Sequence, residues 1–313
     1  MRTIRGSRDR SSDVAAMTGI EESQLGSRKE IGTGGMARVY SLPELFLPEA
    51  PNASWVYKKF RPKVRPIAPY GLESLVRLLD EMPQAQNAAM QRHFNWPVRV
   101  VTDQEAGASG VILPLLADSY FLDLRLSSGV RKRKPAELQF LFMDAHYCAR
   151  VGAPNVDDAQ RREICRSLAY AMALLDRASV VYGDLSARNV LFRVSPRPGV
   201  MLVDCDAARC QGDTAAFGKQ PHSPDWEPPE AVRARKRRDG ASYSIQNKAT
   251  DRYKLGVAIL RILTPGEGCS VNTDPSAAKR LLPKRIYTLL VRSLSDDPDA
   301  RPAAKTWYED MTR

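Results

Sequence analysis

The stretch Val180-Val-Tyr-Gly-Asp-Leu-Ser-Ala-Arg-Asn-Val-Leu-Phe192 constrains this chain more than any other. Two apolar runs flank a polar insert that carries one carboxylate, Asp184, and one amide, Asn189, five residues later. The insert therefore reads as a short loop between buried supports. Phosphoryl transfer asks little covalent chemistry of a protein, but it needs a carboxylate to accept the nucleophile's proton and a neutral oxygen ligand for magnesium beside it. Asp184 and Asn189 fit those two roles. An Asp with an Asn at this spacing is common, so the weight of the pair depends on partners elsewhere in the chain.

Upstream, Glu30-Ile-Gly-Thr-Gly-Gly-Met-Ala-Arg-Val-Tyr40 places Gly32 and Gly34 ahead of Val39. Glycines let backbone amides approach an anion where a side chain would block them, although an ordinary hairpin reads the same way. Trp55-Val-Tyr-Lys-Lys-Phe60 alternates as a strand does, with Val56, Lys58 and Phe60 on one face and Tyr57 and Lys59 on the other. A lysine between two apolar residues on a buried face needs an anion, which selects Lys58 and leaves Lys59 facing solvent. A register slip of one residue would exchange the two. Leu72, Leu75, Val76 and Leu79 predict a helix over 71–82, stopped by Pro83, with Glu73 and Glu81 as its candidate partners for the lysine. Strands are expected over 97–102 and 110–116, and a long buried helix between Asp157 and Ala178 on the spacing of Ile164, Leu168, Ala171 and Leu175. Val200-Met-Leu-Val-Asp-Cys-Asp206 is an apolar strand ending in carboxylates. A strand end holds a metal ligand in place, and an acidic turn is the plainer alternative.

In this order the pieces resemble the eukaryotic-like protein kinase family in its bacterial type. Its catalytic loop reads H-R-D-L-x-x-x-N, here with Tyr182 and Gly183 in place of His and Arg. Its glycine loop G-x-G-x-x-G-x-V is met at Gly32, Gly34 and Val39, with Ala37 at the third glycine, and D-F-G becomes Asp204-Cys205-Asp206. Ser223-Pro-Asp-Trp-Glu-Pro-Pro-Glu230 resembles the A-P-E end of an activation segment, and Asp299-Ala-Arg301-Pro offers the arginine that pairs with its glutamate. The resemblance spans roughly residues 28–309. It implies an α+β, bilobal protein-kinase-like fold: a mobile basic tail over 1–24, a small antiparallel-sheet N-lobe over 25–116 and a mainly helical C-lobe over 117–313.

The same resemblance implies ATP and Mg2+ as cofactors. Asp184, Lys58 and Arg188 would be catalytic, with Arg188 doing the work of the lysine that Ser186 replaces. Gly32, Gly34, Val39, Val56, Lys58, Ile112, Leu113, Leu115 and Glu73 would serve the nucleotide, Ile112 guarding the back of the pocket and 113–115 forming the hinge. Asn189 and Asp204 would hold the metal, and Asp251 would hold the catalytic loop backbone. Serine or threonine is favoured over tyrosine as acceptor, though Ala187-Arg188-Asn189 and Trp226 look more like tyrosine kinases. With Gly183 in place of the arginine, a phosphorylated Thr214 in the activation loop is not expected to be the main switch. A nucleotide-binding pseudokinase or scaffold, and a kinase-fold small-molecule phosphotransferase, are the competing readings.

Composition excludes more than it selects. With 313 residues and 43% hydrophobic content the chain builds a full globular unit rather than a disordered one. Five cysteines without a C-x-x-C pair suggest neither a disulfide framework nor a zinc site, so a reducing cytoplasm is the expected location. No run approaches a membrane span. The net charge of +11 gathers in the first ten residues, Arg131–Lys134 and Arg235–Arg238, read here as solvated loops. A protein substrate is expected, with room for an acidic partner at inserts 131–134 and 235–238; nucleic acid is disfavoured because no aromatics interleave the basic residues.

Overall fold

A computed structural model describes residues 19–312 apart from 65–66, 104–106, 126–127, 214–215 and 218–221; Thr214 and most of the expected tail lie outside the described residues. The chain divides into two compact units, Met1–Met82 with Trp96–Leu115, and Pro83–Asn95 with Leu116–Arg313. A sheet dominates the first and helices the second, so the fold is α+β as expected.

The first unit is a six-stranded sheet in the order β1-β5-β6-β4-β3-β2. Its strands are β1 (Gly19–Glu21), β2 (Lys29–Thr33), β3 (Ala37–Leu42), β4 (Trp55–Phe60), β5 (Arg99–Asp103) and β6 (Gly107–Pro114). Only β1, parallel to β5, departs from antiparallel pairing. The expected tail is thus shorter than 1–24, because Gly19–Glu21 pairs along β5 and Glu22 is anchored by Arg28, Tyr57 and Lys59. Helix α1 (Pro69–Asp80) buries Leu72, Leu75, Val76 and Leu79, the predicted stripe, and Trp96 Nε1 donates to the Leu75 carbonyl at 2.8 Å.

Opposed residues of antiparallel strands point to one side. Val39, Lys58 and Val111 are in register, as are Tyr40, Tyr57 and Ile112, so Lys58 and Ile112 lie on opposite faces. The Ile112 face is covered by Leu25, Leu42, Leu47, Trp55, Tyr57 and Val101. At Gly110 a Cβ would lie 2.2 Å from the Lys58 carbonyl oxygen, so this position admits glycine alone.

The second unit begins at α2 (Gln84–His93), where Phe94 bridges to Leu202 and the Asn95 N–H donates to the Leu202 carbonyl at 2.8 Å. Those bonds take Pro83–Asn95 out of the contiguous 25–116 segment that the sequence suggests. A ribbon of β7 (Phe121–Arg125) and β8 (Arg131–Pro135) follows, then the short helices α3 (Gln139–Phe142) and α4 (Ala145–Val151). The Arg131–Lys134 run is therefore a strand and not the expected loop. Its side chains are nonetheless exposed.

Helix α5 (Asp158–Arg177) starts at a reciprocal cap between Asp157 and Gln160 and buries Ile164, Leu168, Ala171 and Leu175 as its spacing predicts. Two small ladders follow, β9 (Val180–Val181) with β12 (Arg209–Cys210), and β10 (Val190–Arg193) with β11 (Gly199–Leu202). Helix α6 (Pro229–Lys236) takes in Arg235 and Lys236, again a correction of the expected loop, and α7 (Gly240–Tyr243) succeeds it. Helix α8 (Lys248–Leu263) is buried almost all round, which marks it as the axis of this unit. Helices α9 (Lys284–Ser293) and α10 (Ala304–Thr312) complete it.

Candidate active site

The first unit presents one sheet face carrying most of the expected nucleotide residues. Gly32, Val39, Val56, Lys58 and Leu113 fall on the same side by register. Ile112 does not; it is wholly buried in the cluster beneath the other face, and Val111 and Leu113 take the places beside Lys58 and Val56. The reason is the period of two along a strand, which puts Ile112 one residue out of phase with the Lys58 face. Tyr57 and Lys59 occupy the Ile112 side, where Lys59 Nζ is engaged by Glu22 rather than free in solvent. Against its burial, the donors Lys59, Tyr57 and Arg28 hold the Glu22 carboxyl at about 2.

At the glycine turn none of Gly32, Gly34 and Gly35 has positive φ, and a Cβ at Gly32 or Gly34 would meet nothing closer than 3.7 Å. The chain's own packing does not require glycine there. Arg61 secures the turn, its Nε donating to the Gly34 carbonyl at 2.9 Å and a terminal nitrogen to Thr33 Oγ1 at 2.8 Å. At the other edge Pro114 has no N–H and the Leu115 N–H donates to the Ser54 carbonyl at 2.8 Å, so neither offers a free backbone donor. Glu73 is half-buried within α1, whereas Glu81 is exposed at its C-cap.

In the second unit the loop after β9 is fixed from below. Asp251, in the first turn of α8, accepts from the N–H of Tyr182 at 2.8 Å and of Gly183 at 2.9 Å. Burial nevertheless pushes its carboxyl up to about 6. The Tyr182 hydroxyl bonds the carbonyls of Asn189, at 3.0 Å, and of Val203, tying the loop to the strand end that carries Asp204. Asp184 receives two hydrogen bonds at 2.8 Å, Ser223 Oγ on Oδ1 and Asn189 Nδ2 on Oδ2. Burial raises the Asp184 pKa, against the bonds from Ser223 and Asn189 and the charge of Lys254.

Asn189 Nδ2 also donates to the Asp184 backbone carbonyl at 2.9 Å. Both amide protons are thereby directed at Asp184, and Oδ1 is presented as an acceptor. Asp204 lies just beyond the end of β11 at φ +56, a left-handed conformation that aspartate tolerates better than most residues, and is exposed, while Cys205 and Asp206 are buried beside it. Arg188 is exposed; burial raises the pKa of the nearby Glu137, against the charge of Arg188.

Farther along, Arg301 makes a two-pronged pair with Glu230 at 2.9 and 2.7 Å and also donates to the Ala249 and Ser295 carbonyls. The arginine side chain is wholly buried and the glutamate half so. Two segments some seventy residues apart are joined as the sequence anticipates. The family model for protein tyrosine and serine/threonine kinases matches residues 125–311, well over half of the chain. The chain belongs to the protein kinase family. Kinases of this family are phosphotransferases acting on proteins, and the loop, the strand-end carboxylate and the Glu230–Arg301 pair all lie inside the matched region.

Several supports of this kinase's loop escape a motif search. Tyr182 stands where the family has histidine and supplies its cross-link with a hydroxyl. Lys254 lies wholly buried in the run Tyr253-Lys-Leu-Gly-Val-Ala-Ile-Leu260, and a lysine inside so apolar a helix announces a buried hydrogen-bonded ammonium. Ser223 Oγ on Asp184 is visible only in three dimensions.

Proposed function

We propose that this kinase transfers the γ-phosphoryl of ATP, with Mg2+, to serine or threonine hydroxyls of protein substrates. The observation that carries the reading is the Ser223 hydroxyl on Asp184 Oδ1 at 2.8 Å, with Asn189 on the other oxygen. A hydroxyl beside this carboxylate is the geometry from which a base accepts a proton. Asp184 would orient the acceptor hydroxyl and take its proton; its burial raises its basicity while the two donors keep its orientation.

The donor chemistry fits magnesium. Asn189 Oδ1 and the Asp204 carboxylate are hard oxygen ligands, and Mg2+ completes its six positions with water and phosphate rather than with a full protein cage. The ion would neutralise charge on the phosphates. Gly32, Gly34, Val39, Val56, Lys58, Leu113 and Leu115 are proposed to serve the nucleotide, Lys58 by its charge and the glycines by their bare backbone, with Glu73 the partner for Lys58. Arg188 is proposed to stabilise charge on the transferred group. With Gly183 before the catalytic aspartate, phosphorylation of the activation loop is not the main switch in this reading.

Incubation with labelled ATP and Mg2+, comparing wild type with Asp184→Asn, tests it. Label on serine or threonine of protein is expected from the wild type alone. Label on a small molecule, on tyrosine only, or on nothing at all contradicts it.

A further inference from the structure

One turn of α8 grips both backbone polar groups of Gly183. Asp251 accepts the Gly183 N–H at 2.9 Å, and Lys254, three residues on and so on the same helical face, donates from Nζ to the Gly183 carbonyl. Lys254 Nζ also donates to Gln246 Oε1 at 3.1 Å, and Gln246 accepts in turn from Thr250 Oγ1. The ammonium is inaccessible to solvent, and both oxygens it bonds are neutral. Burial draws its pKa down to about 8, while the carboxylates of Asp251, Asp184, Glu227 and Glu230 favour its charged form. The buried His222 also feels its charge. A lysine so placed is costly unless its bonds do something the fold needs.

What they act on is one of the residues at which this chain departs from its family. Gly183, at φ +78, stands where an arginine would precede the catalytic aspartate. Such an arginine is anchored from outside, by a phosphorylated activation-loop residue. Here the anchor comes from beneath, through a bond to the main chain of the same position.

We propose that Lys254 is a positioning residue for phosphoryl transfer: by holding the Gly183 carbonyl from inside α8 it fixes the peptide that presents Asp184, replacing an activation-loop phosphate as the anchor of the loop. The inference rests on the kinase reading above. It assigns the loop's resting pose to the fold itself, so protein freed of phosphate is already competent.

Lys254→Met keeps the length of the side chain and removes the ammonium. In the full chain, kcat falls about tenfold or more while the KM for ATP stays within about twofold, and amide hydrogen exchange at Tyr182–Asp184 quickens by about tenfold. Lys254→Gln retains an N–H donor and recovers part of both losses. Phosphatase-treated wild type keeps its kcat within about threefold. Wild-type kcat in Lys254→Met, a lowered kcat with unchanged exchange at 182–184, or a more than tenfold loss on phosphatase treatment overturns the proposal. If Lys254→Met does not fold, Lys254→Gln decides: kcat and protection changing together support the brace, and one changing without the other refutes it. A wild type that transfers no phosphoryl would defeat the kinase reading, whereas the exchange measurement would still judge the brace.

Discussion

Ser223 and Asp184 share a 2.8 Å hydrogen bond, the hydroxyl of the first donating to Oδ1 of the second across thirty-nine residues of chain. It fixes one carboxylate oxygen while Asn189 fixes the other. A hydrogen bond to a charged group contributes about 1.5–3 kcal/mol. Ser223→Ala therefore lowers kcat by roughly tenfold with little change in the KM for ATP, and Ser223→Thr stays near wild type. Steady-state kinetics with varied ATP check both.

The glycines divide into those the fold needs and those it does not. A Cβ at Gly110 would collide with the β4 backbone at 2.2 Å, whereas at Gly34 the nearest atom stands at an ordinary 3.7 Å. Gly110→Ala is expected to cost about 3 kcal/mol or more of stability. Gly34→Ala leaves the melting temperature within a few degrees of wild type but raises the KM for ATP about tenfold, because its methyl obstructs phosphate and not protein. Thermal melts beside nucleotide titrations separate the two.

Arg301 is wholly buried, so its pair with Glu230 is more costly to halve than to delete. Glu230→Ala leaves an uncompensated guanidinium and should cost about 3 kcal/mol. The double variant Glu230→Ala with Arg301→Met should recover part of that loss. Denaturant unfolding of the three proteins measures the coupling.

Acidity acts on two desolvated imidazoles. Desolvation lowers both the half-buried His93 and the buried His222 to about 4. Between pH 6.5 and 4 the unfolded chain binds protons that the folded imidazoles refuse. Stability therefore rises with pH through this window and falls on acidification, by up to about 1.4 kcal/mol per pH unit for each histidine. Asp251 opposes this, since its folded carboxyl, raised to about 6, takes a proton before the unfolded one does. His222→Phe isolates the histidine contribution: its melting temperature should drop less than that of wild type between pH 7 and pH 5. An identical pH dependence in both proteins would argue against it.

Much of the site can be read along the chain because its parts are anchored by local patterns. The stripe of α5 and the alternation of β4 follow from periodicity, the strand just before Asp204 from its apolar run, and the Glu230–Arg301 pair from a motif at both ends. What resists reading depends on register or on contacts between distant segments. The family resemblance implies Ile112 on the nucleotide face, yet the pairing with Tyr57 turns it to the opposite side. The basic runs look like loops because charge is all their sequence offers. Cross-strand pairing makes Arg131–Lys134 a strand, and the helix begun at Pro229 carries on through Lys236. Residues 19–22 resemble a tail until β5 and Tyr57 supply their partners. Lys254 is legible as a buried cation, but nothing in the sequence says that it faces Gly183.

The most direct measurement pairs nucleotide binding with phosphoryl transfer in Asp184→Asn. Mg-ATP should raise the melting temperature of wild type and variant alike, since the exchange of one oxygen for nitrogen leaves the nucleotide's own contacts in place. Transfer to protein should fall by at least about a hundredfold in the variant. Equal transfer by the two proteins would mean that Asp184 is not the base and that the site has been misread.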